Sequence, residues 1–516
     1  MDCLLLGAKE SLRKYRKDKP PPAELSVLSK HLETASRADL ASSLAVLPQE
    51  LLLLIADLVK PTYAFASDDE DLAALAKEQL EQHVPPLLAL AVQLTRLLPE
   101  PTDPPNREDL DLRARLLLVF GRYTSLSSNF ANVGAQAISI PLSSSLLQSP
   151  PSLRLPLLRH ILSTSLPVLF KPHPSVNPST GRVLSRPLGG HTGMQSWYSE
   201  AEQDTTSWRT QAGVGAVVKL VIEALMLGEV EDLWPFLLPP LLAYLDDYEA
   251  RTRIVGTALL NSLLDRVDAS LLRRTGVGKV FEKSLTSCLT TLSDPLTPLL
   301  LSHAHPVAFK LLQLQYPPPP SFTGPNFVSD EPRFTALCTL LSSSILHAWE
   351  FKPSHVEIET VTARALQPIL DALGAGSVRY LQVLIPHLSE LLGTTATGAG
   401  GTWTIETVAM MEEAARALEG VARNGRLRIA RWEGRIVGAV GKAWTGVEES
   451  MGAAELRRRE EGKEHLEQLE EALQAVVKRL AEVGGTGGSS GVERMRAADP
   501  VFSTLVAAAP PTVVAG

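Results

Sequence analysis

The feature that most constrains this chain is the spacing of its leucines. Apolar residues recur three and four positions apart in segment after segment, as in Leu25, Leu28 and Leu32, in Leu51, Leu54, Ile55, Leu58 and Val59, and in Leu87, Leu90, Val92, Leu94 and Leu97. That spacing draws one apolar stripe along an α-helix, whereas the period-two alternation of half-buried strands is nearly absent. Aromatic residues supply only 5% of the chain, so the apolar surface is carried mainly by Leu and Ala, strong helix formers that pack inter-helix seams. Pro, Gly, Asn and Asp interrupt the stripes at intervals of roughly 15 to 25 residues, the helix-turn-helix rhythm of an α-solenoid. The expected fold is all-α: a HEAT/armadillo-like α-solenoid of degenerate helical repeats, which share a rhythm but no alignable consensus.

Composition suggests further divisions. An N-terminal helical array over 1–170 leads into a Pro/Gly/Ser-rich linker at 171–192, in which no regular element is expected to persist. Central helical repeats follow over 193–315, then a Pro-rich loop at 316–329. C-terminal repeats fill 330–483, interrupted by the low-complexity insert GTTATGAGG at 393–401. They end in a long charged helix over 455–483 with Leu456, Leu466, Leu469, Leu473, Val477 and Leu480 on one stripe, expected to pack onto the chain's own solenoid. The tail at 484–516 is Gly/Ser-rich and then Ala/Pro-rich, and is expected to be flexible.

Charge and motif content argue against chemistry. A net charge of −8 disfavours a nucleic-acid surface, because neutralising phosphates needs a concentrated excess of Lys and Arg. Cys3, Cys288 and Cys338 lie too far apart for a zinc site and read as reduced thiols. The apolar stretch at the N-terminus is too short for a signal-peptide core, and no run is long enough to span a bilayer. The expected setting is cytoplasmic and nuclear, with no membrane and no nucleic acid as partner.

The individual candidates read in the same direction. His303 and His305 form an HxH that points two rings to different faces of a helix, and they are expected at a helix end or on the surface. The segment GVGKVF at 276–281 lacks the flanking residues of a phosphate loop and reads as a turn between helices. Asp246 and Asp247 follow a long apolar run and are expected to cap and start the next helix. Asp294, ahead of Pro295, marks another boundary. Basic clusters stand at 13–19, 423–435 and 457–459; the second sets Trp432 among five arginines and reads as a salt-bridged face or a site for an acidic protein partner. No catalytic, cofactor or metal site is expected, and the chain is read as a non-enzyme.

The most distinctive block runs from WPFLLPPLLAYLDDYEARTRIVGTALLNSLLDRV (234–267) through SLLRRTGVGKVFEKSLTSCLTTL (270–292) to DPLTPLLLSHAHPVAFKLL (294–312). It resembles the Tel two-interacting protein two family, particularly its fungal members. The positions that carry the resemblance are Pro239, Pro240, Leu241, Leu242, Asp246, Asp247, Gly256, Leu271, Leu272, Arg274, Thr275 and Gly276, supported by RYLQVLIPHLSELL at 379–392. Physically, Pro239 and Pro240 are expected near the start of a helix, where lost N–H donors cost least, and Gly256 is expected to permit close helix approach.

The resemblance implies a scaffold subunit of the TTT co-chaperone complex, partnered by the Tel two protein and Tel two-interacting protein one. Through the ninety-kilodalton heat-shock chaperone and the R2TP adaptor it implies a part in maturing phosphatidylinositol-3-kinase-related kinases, such as the TOR and DNA-damage checkpoint kinases. The alternative is another α-solenoid adaptor, of nuclear-transport or vesicle-coat type, with different protein partners.

Overall fold

A computed structural model describes residues 2–14, 32, 46–61, 65, 70–99, 102, 104–125, 133–148, 151–185, 208–317, 331–352, 354–393, 403–426, 428–484 and 491–507. Among them the regular structure is helical, apart from an isolated bridge between Val176 and Val183. The chain divides into two compact units, Met1–Phe281 and Glu282–Gly516. No helix among the described residues is long and apolar enough to cross a membrane.

The first unit holds α1 (Asp2–Lys14), α2 (Leu47–Val59), α3 (Glu70–Arg96), α4 (Arg107–Phe120), α5 (Val133–Gln148), α6 (Arg154–His160), α7 (Val214–Ala224), α8 (Glu229–Leu245), α9 (Ala250–Leu264) and α10 (Ala269–Thr275). The cut between the units falls inside α11 (Val277–Thr290). Each helix buries the stripe its sequence carries: Leu51, Leu52, Ile55 and Val59 on α2, and Leu87, Leu88, Ala91 and Leu94 on α3, are all buried. Starts and stops follow side-chain chemistry. Asn106 Oδ1 accepts from Asp109 N at 2.7 Å at the start of α4, satisfying an otherwise orphaned donor. Gly276, at φ 74°, ends α10 in a left-handed conformation that other residues enter only at a cost.

Packing is that of helical repeats. α2 touches both α3 and α4, α3 touches α5, and α7 and α8 each touch α9, so helices contact the next-but-one element as well as their sequence neighbour. The second unit, with α12 (Thr297–Gln315), α13 (Glu331–Leu340), α14 (His347–Phe351), α15 (Val356–Leu373), α16 (Leu381–Gly393), α17 (Ile405–Asn424), α18 (Glu433–Glu449), α19 (Met451–Leu456), α20 (Glu460–Gly484), α21 (Gly491–Ala498) and α22 (Ser503–Ala507), shows it most plainly. There α12, α15, α17 and α20 pack in succession as one layer, and α16 and α18 form a second layer against them. This two-layer stacking is the all-α, HEAT/armadillo-like arrangement expected from the leucine rhythm.

Several expectations need correction. The charged helix over 455–483 is broken at Arg457–Arg459 into α19 and α20, although Leu456, Leu466, Leu469, Leu473, Val477 and Leu480 are all buried and α20 packs on α17. Of the tail after 484, residues 491–507 are described and contain α21 and α22, whose Val492, Met495, Leu505 and Val506 are buried, so a short apolar stripe docks this part where composition alone suggested mobility. His305 sits inside α12, fully buried and with neither ring nitrogen hydrogen-bonded, while His303 is exposed. Most of the Pro-rich loop and of the GTTATGAGG insert lies outside the described residues, as does 15–19 of the first basic cluster.

Candidate functional site

The residues singled out by sequence converge on α8. Its apolar face, Leu233, Trp234, Leu237, Leu238, Leu241, Leu242 and Leu245, is buried. Pro239 and Pro240 lie well inside this helix and not near its start as expected. They remove two N–H donors from the helical ladder, a loss a helix tolerates only when tertiary contacts hold it. Those contacts are present along its whole length.

At the start of α8, Arg154 grips Glu229 through both terminal nitrogens, with Nη1 to Oε2 at 2.8 Å, and also donates to the Ala224 carbonyl at 2.7 Å. The Arg154 hydrogen bonds hold the Glu229 carboxyl below its ordinary pKa. In the middle, Trp234 Nε1 donates to the carbonyl of Gly181 at 3.1 Å. Gly181 has φ 61°, and a Cβ there would stand 2.5 Å from Trp234 Cδ1, so the indole and the turn at 177–182 fit only with glycine in place.

At the end of α8 stands the acidic turn. Asp246 terminates the helix and accepts from His173 Nε2 at 3.1 Å. Because His173 Nδ1 accepts from Ser175 N at 3.2 Å, the ring proton lies on Nε2 and the imidazole points it at the carboxylate. Asp247 is buried; its Oδ1 accepts from Glu249 N at 2.9 Å, and its Oδ2 meets Arg209 Nη2 at 2.5 Å. Arg253 Nε donates to the Asp247 carbonyl. Burial raises the Asp247 pKa, against the pull of the Glu249 amide and Arg209.

These aspartates therefore do not cap α9, whose N-cap is Glu249, its carboxylate accepting from Thr252 Oγ1 and not from a backbone amide of the first turn. They are the posts to which two other segments are tied. Around them Trp208, Phe170 and Tyr244 form an aromatic cluster, with the Trp208 and Tyr244 centroids 4.5 Å apart, and Arg209 lies over Trp208 and Tyr248. Burial raises the Tyr244 hydroxyl and lowers the guanidinium of Arg122, which donates to the Leu118 and Ala212 carbonyls and to Gln211.

The second half of the motif is joined to the first by the loop at 171–185. Val183 N donates to the Thr275 carbonyl at 3.0 Å, one residue before the left-handed Gly276. Thr275 Oγ1 turns back to the Leu271 carbonyl at 2.7 Å, and Leu271 and Leu272 are buried. Gly256 on α9 faces the backbone of α8, where a Cβ would come within 2.7 Å of Leu245 N. Arg274 pairs with Glu231 at 2.7 Å on the rim, both largely exposed, an arrangement worth little in stability. The proline-rich stretch read as a linker is thus, over 171–185, the staple that connects Asp246, Trp234 and Thr275.

Sequence reasoning missed His173, Arg209, Arg154 and Gly181. Only Gly181 left a local signal: Asn177 Oδ1 accepts from Ser179 N and Thr180 N, the turn that NPSTG spells. No group of three or more His, Cys, Asp or Glu residues able to hold a metal occurs among the described residues.

The model of the Tti2 family matches residues 122–397, just over half of the chain and the whole of the motif block. The chain belongs to the Tti2 family. Solved structures with which this Tti2 chain aligns include Kap121p bound to Pho4p, at 14% identity and TM-score 0.35, covering 93% of this chain and 47% of that one. Importin beta aligns at 11% and 0.35 over 99% and 62%, and the SYS-1/POP-1 complex at 11% and 0.34 over 93% and 86%. This Tti2 chain spans about half the length of Kap121p and less than two thirds of importin beta. Comparison with curated proteins gives no match.

Proposed function

We propose that this chain is the Tti2-type scaffold subunit of a TTT complex, associating with the Tel two protein and Tel two-interacting protein one. The observation that carries this reading is the family match over 122–397, which takes in α8 and its ties. The polar side chains of that region are spent on internal contacts: Asp247 on Arg209, Asp246 on His173 and Glu229 on Arg154. Residues so engaged build a rigid frame, and recognition falls to the surface that the frame presents.

On this reading the chain does no chemistry of its own. It works with the ninety-kilodalton heat-shock chaperone and the R2TP adaptor, in cytoplasm and nucleus, to bring phosphatidylinositol-3-kinase-related kinases to maturity. The support for these finer steps is the family resemblance of the motif block. Co-expression with the other two subunits, followed by purification through a tag on either of them, tests the reading. A stable three-chain assembly is expected; a chain that folds but co-purifies with neither subunit overturns it.

A further inference from the structure

Two sets of arginines in the second unit contrast with one another. Arg364, Arg416, Arg423, Arg457, Arg459 and Arg479 each hold a carboxylate. Arg426, Arg428, Arg431 and Arg435, in and after the turn between α17 and α18, are all exposed and hold none among the described residues. A chain of net charge −8 that leaves four neighbouring guanidinium groups unpaired has concentrated positive potential at one place.

Arg435 stands on α18, beside Gly434 and one turn from Gly438, which line a groove along that helix. A cavity of about 850 Å³ runs along α18, walled by Trp403, Met495 and Phe502 and flanked by Lys442 and Arg494. The chain fills part of it itself: Trp403 lies where side chains at Gly446 and Gly452 would go, and Met495 and Phe502 approach Gly441. At Gly434 and Gly438 nothing lies within 4 Å of where a Cβ would stand, so the end nearest the arginines is open. Helical spacing places Arg435, Gly438 and Lys442 on one strip of α18, with Arg431 in the turn that leads into it. Of the acidic groups nearby, Glu433 accepts from Gly491 N at 2.6 Å, and Glu449 lines the far end.

We infer that this groove and the arginines at its open end bind an acidic segment of a partner protein, which seats apolar side chains on the floor of α18 and sets carboxylates against Arg431, Arg435 and Lys442. The apolar walls favour such a segment over a nucleic acid, whose phosphates would use the arginines and leave the groove empty.

The test uses the full chain and a fluorescein-labelled peptide of repeating Glu-Leu-Glu-Glu-Leu-Leu, read by fluorescence anisotropy. Saturable binding that weakens as salt is raised is expected. Arg431→Glu with Arg435→Glu, and separately Gly438→Trp, should each weaken it by about tenfold, whereas Arg251→Glu leaves it unchanged. Circular dichroism confirms that each variant is folded. Three results overturn the inference: the variants bind like the parent chain, single-stranded polyuridylate binds more tightly than the peptide, or the parent chain shows no saturable binding because its own residues fill the groove.

Discussion

The carboxylate of Asp247 and the guanidinium of Arg209 meet at 2.5 Å across 38 residues of chain, with the aspartate buried. Removing the cation leaves an unpaired buried charge. Arg209→Met should cost about 3 kcal/mol in urea denaturation. Asp247→Asn, which keeps an oxygen for the Glu249 amide, should cost less. Because burial raises the Asp247 pKa, the folded chain takes up this proton more readily than the unfolded one, so its ionised form weighs against folding at neutral pH. Acidification through the folded pKa relieves that penalty, and the deficit of Arg209→Met should shrink as pH falls. A deficit that stays constant with pH would place the cost elsewhere.

Gly256 tests the close approach of α8 and α9. Alanine is the better helix former by about 1 kcal/mol, yet its methyl would stand 2.7 Å from the Leu245 backbone nitrogen. Gly256→Ala should therefore destabilise by about 1–3 kcal/mol. Gly434→Ala, with open space around it, should stabilise slightly. The order of the two Tm values against the parent decides the point.

His305 gives the second unit a pH dependence of its own. Burial lowers its pKa to about 4, below the unfolded value near 6.5. Between those values the unfolded chain binds the proton more readily, so stability is full above pH 6.5 and is lost as pH falls toward 4, by on the order of 3 kcal/mol. His305→Leu removes both the titration and two unpartnered ring nitrogens. Denaturation of the variant at pH 7 and pH 4.5 should show less acid loss than the parent; equal losses would remove His305 as the cause.

Trp234→Phe deletes the donor that holds Gly181. The loss should cost about 1–2 kcal/mol and loosen the staple. Limited proteolysis should then cut within 171–185 faster than in the parent, while cutting within α17 stays unchanged.

Local patterns and distant contacts were unequally legible in the sequence. Leu51, Ile55 and Val59 announce a helix because their spacing is itself the helical period, and Leu466, Leu469 and Leu473 name the face of α20 that meets α17. Asp246 and Asp247 were also visible, but as helix caps, because a carboxylate after an apolar run has that local use. Their partners, His173 and Arg209, come from 73 and 38 residues away, and no short-range pattern encodes such pairings. The prolines at 239 and 240 misled in the same way: their intrinsic preference is for a helix start, and the ties at both ends of α8 override it. The Tti2 resemblance rested on a block inside the matched range 122–397, without revealing that the proline-rich stretch before it holds the block together.

That stretch has a practical consequence. His173 and Arg209 stand on either side of residues 186–207 and are anchored on neighbouring aspartates, so the chain returns to the same acidic turn after that stretch. Closing a longer peptide between fixed ends costs little extra entropy. An epitope or fluorescent label inserted between 186 and 207 should therefore leave both aspartate posts occupied, His173 on Asp246 and Arg209 on Asp247.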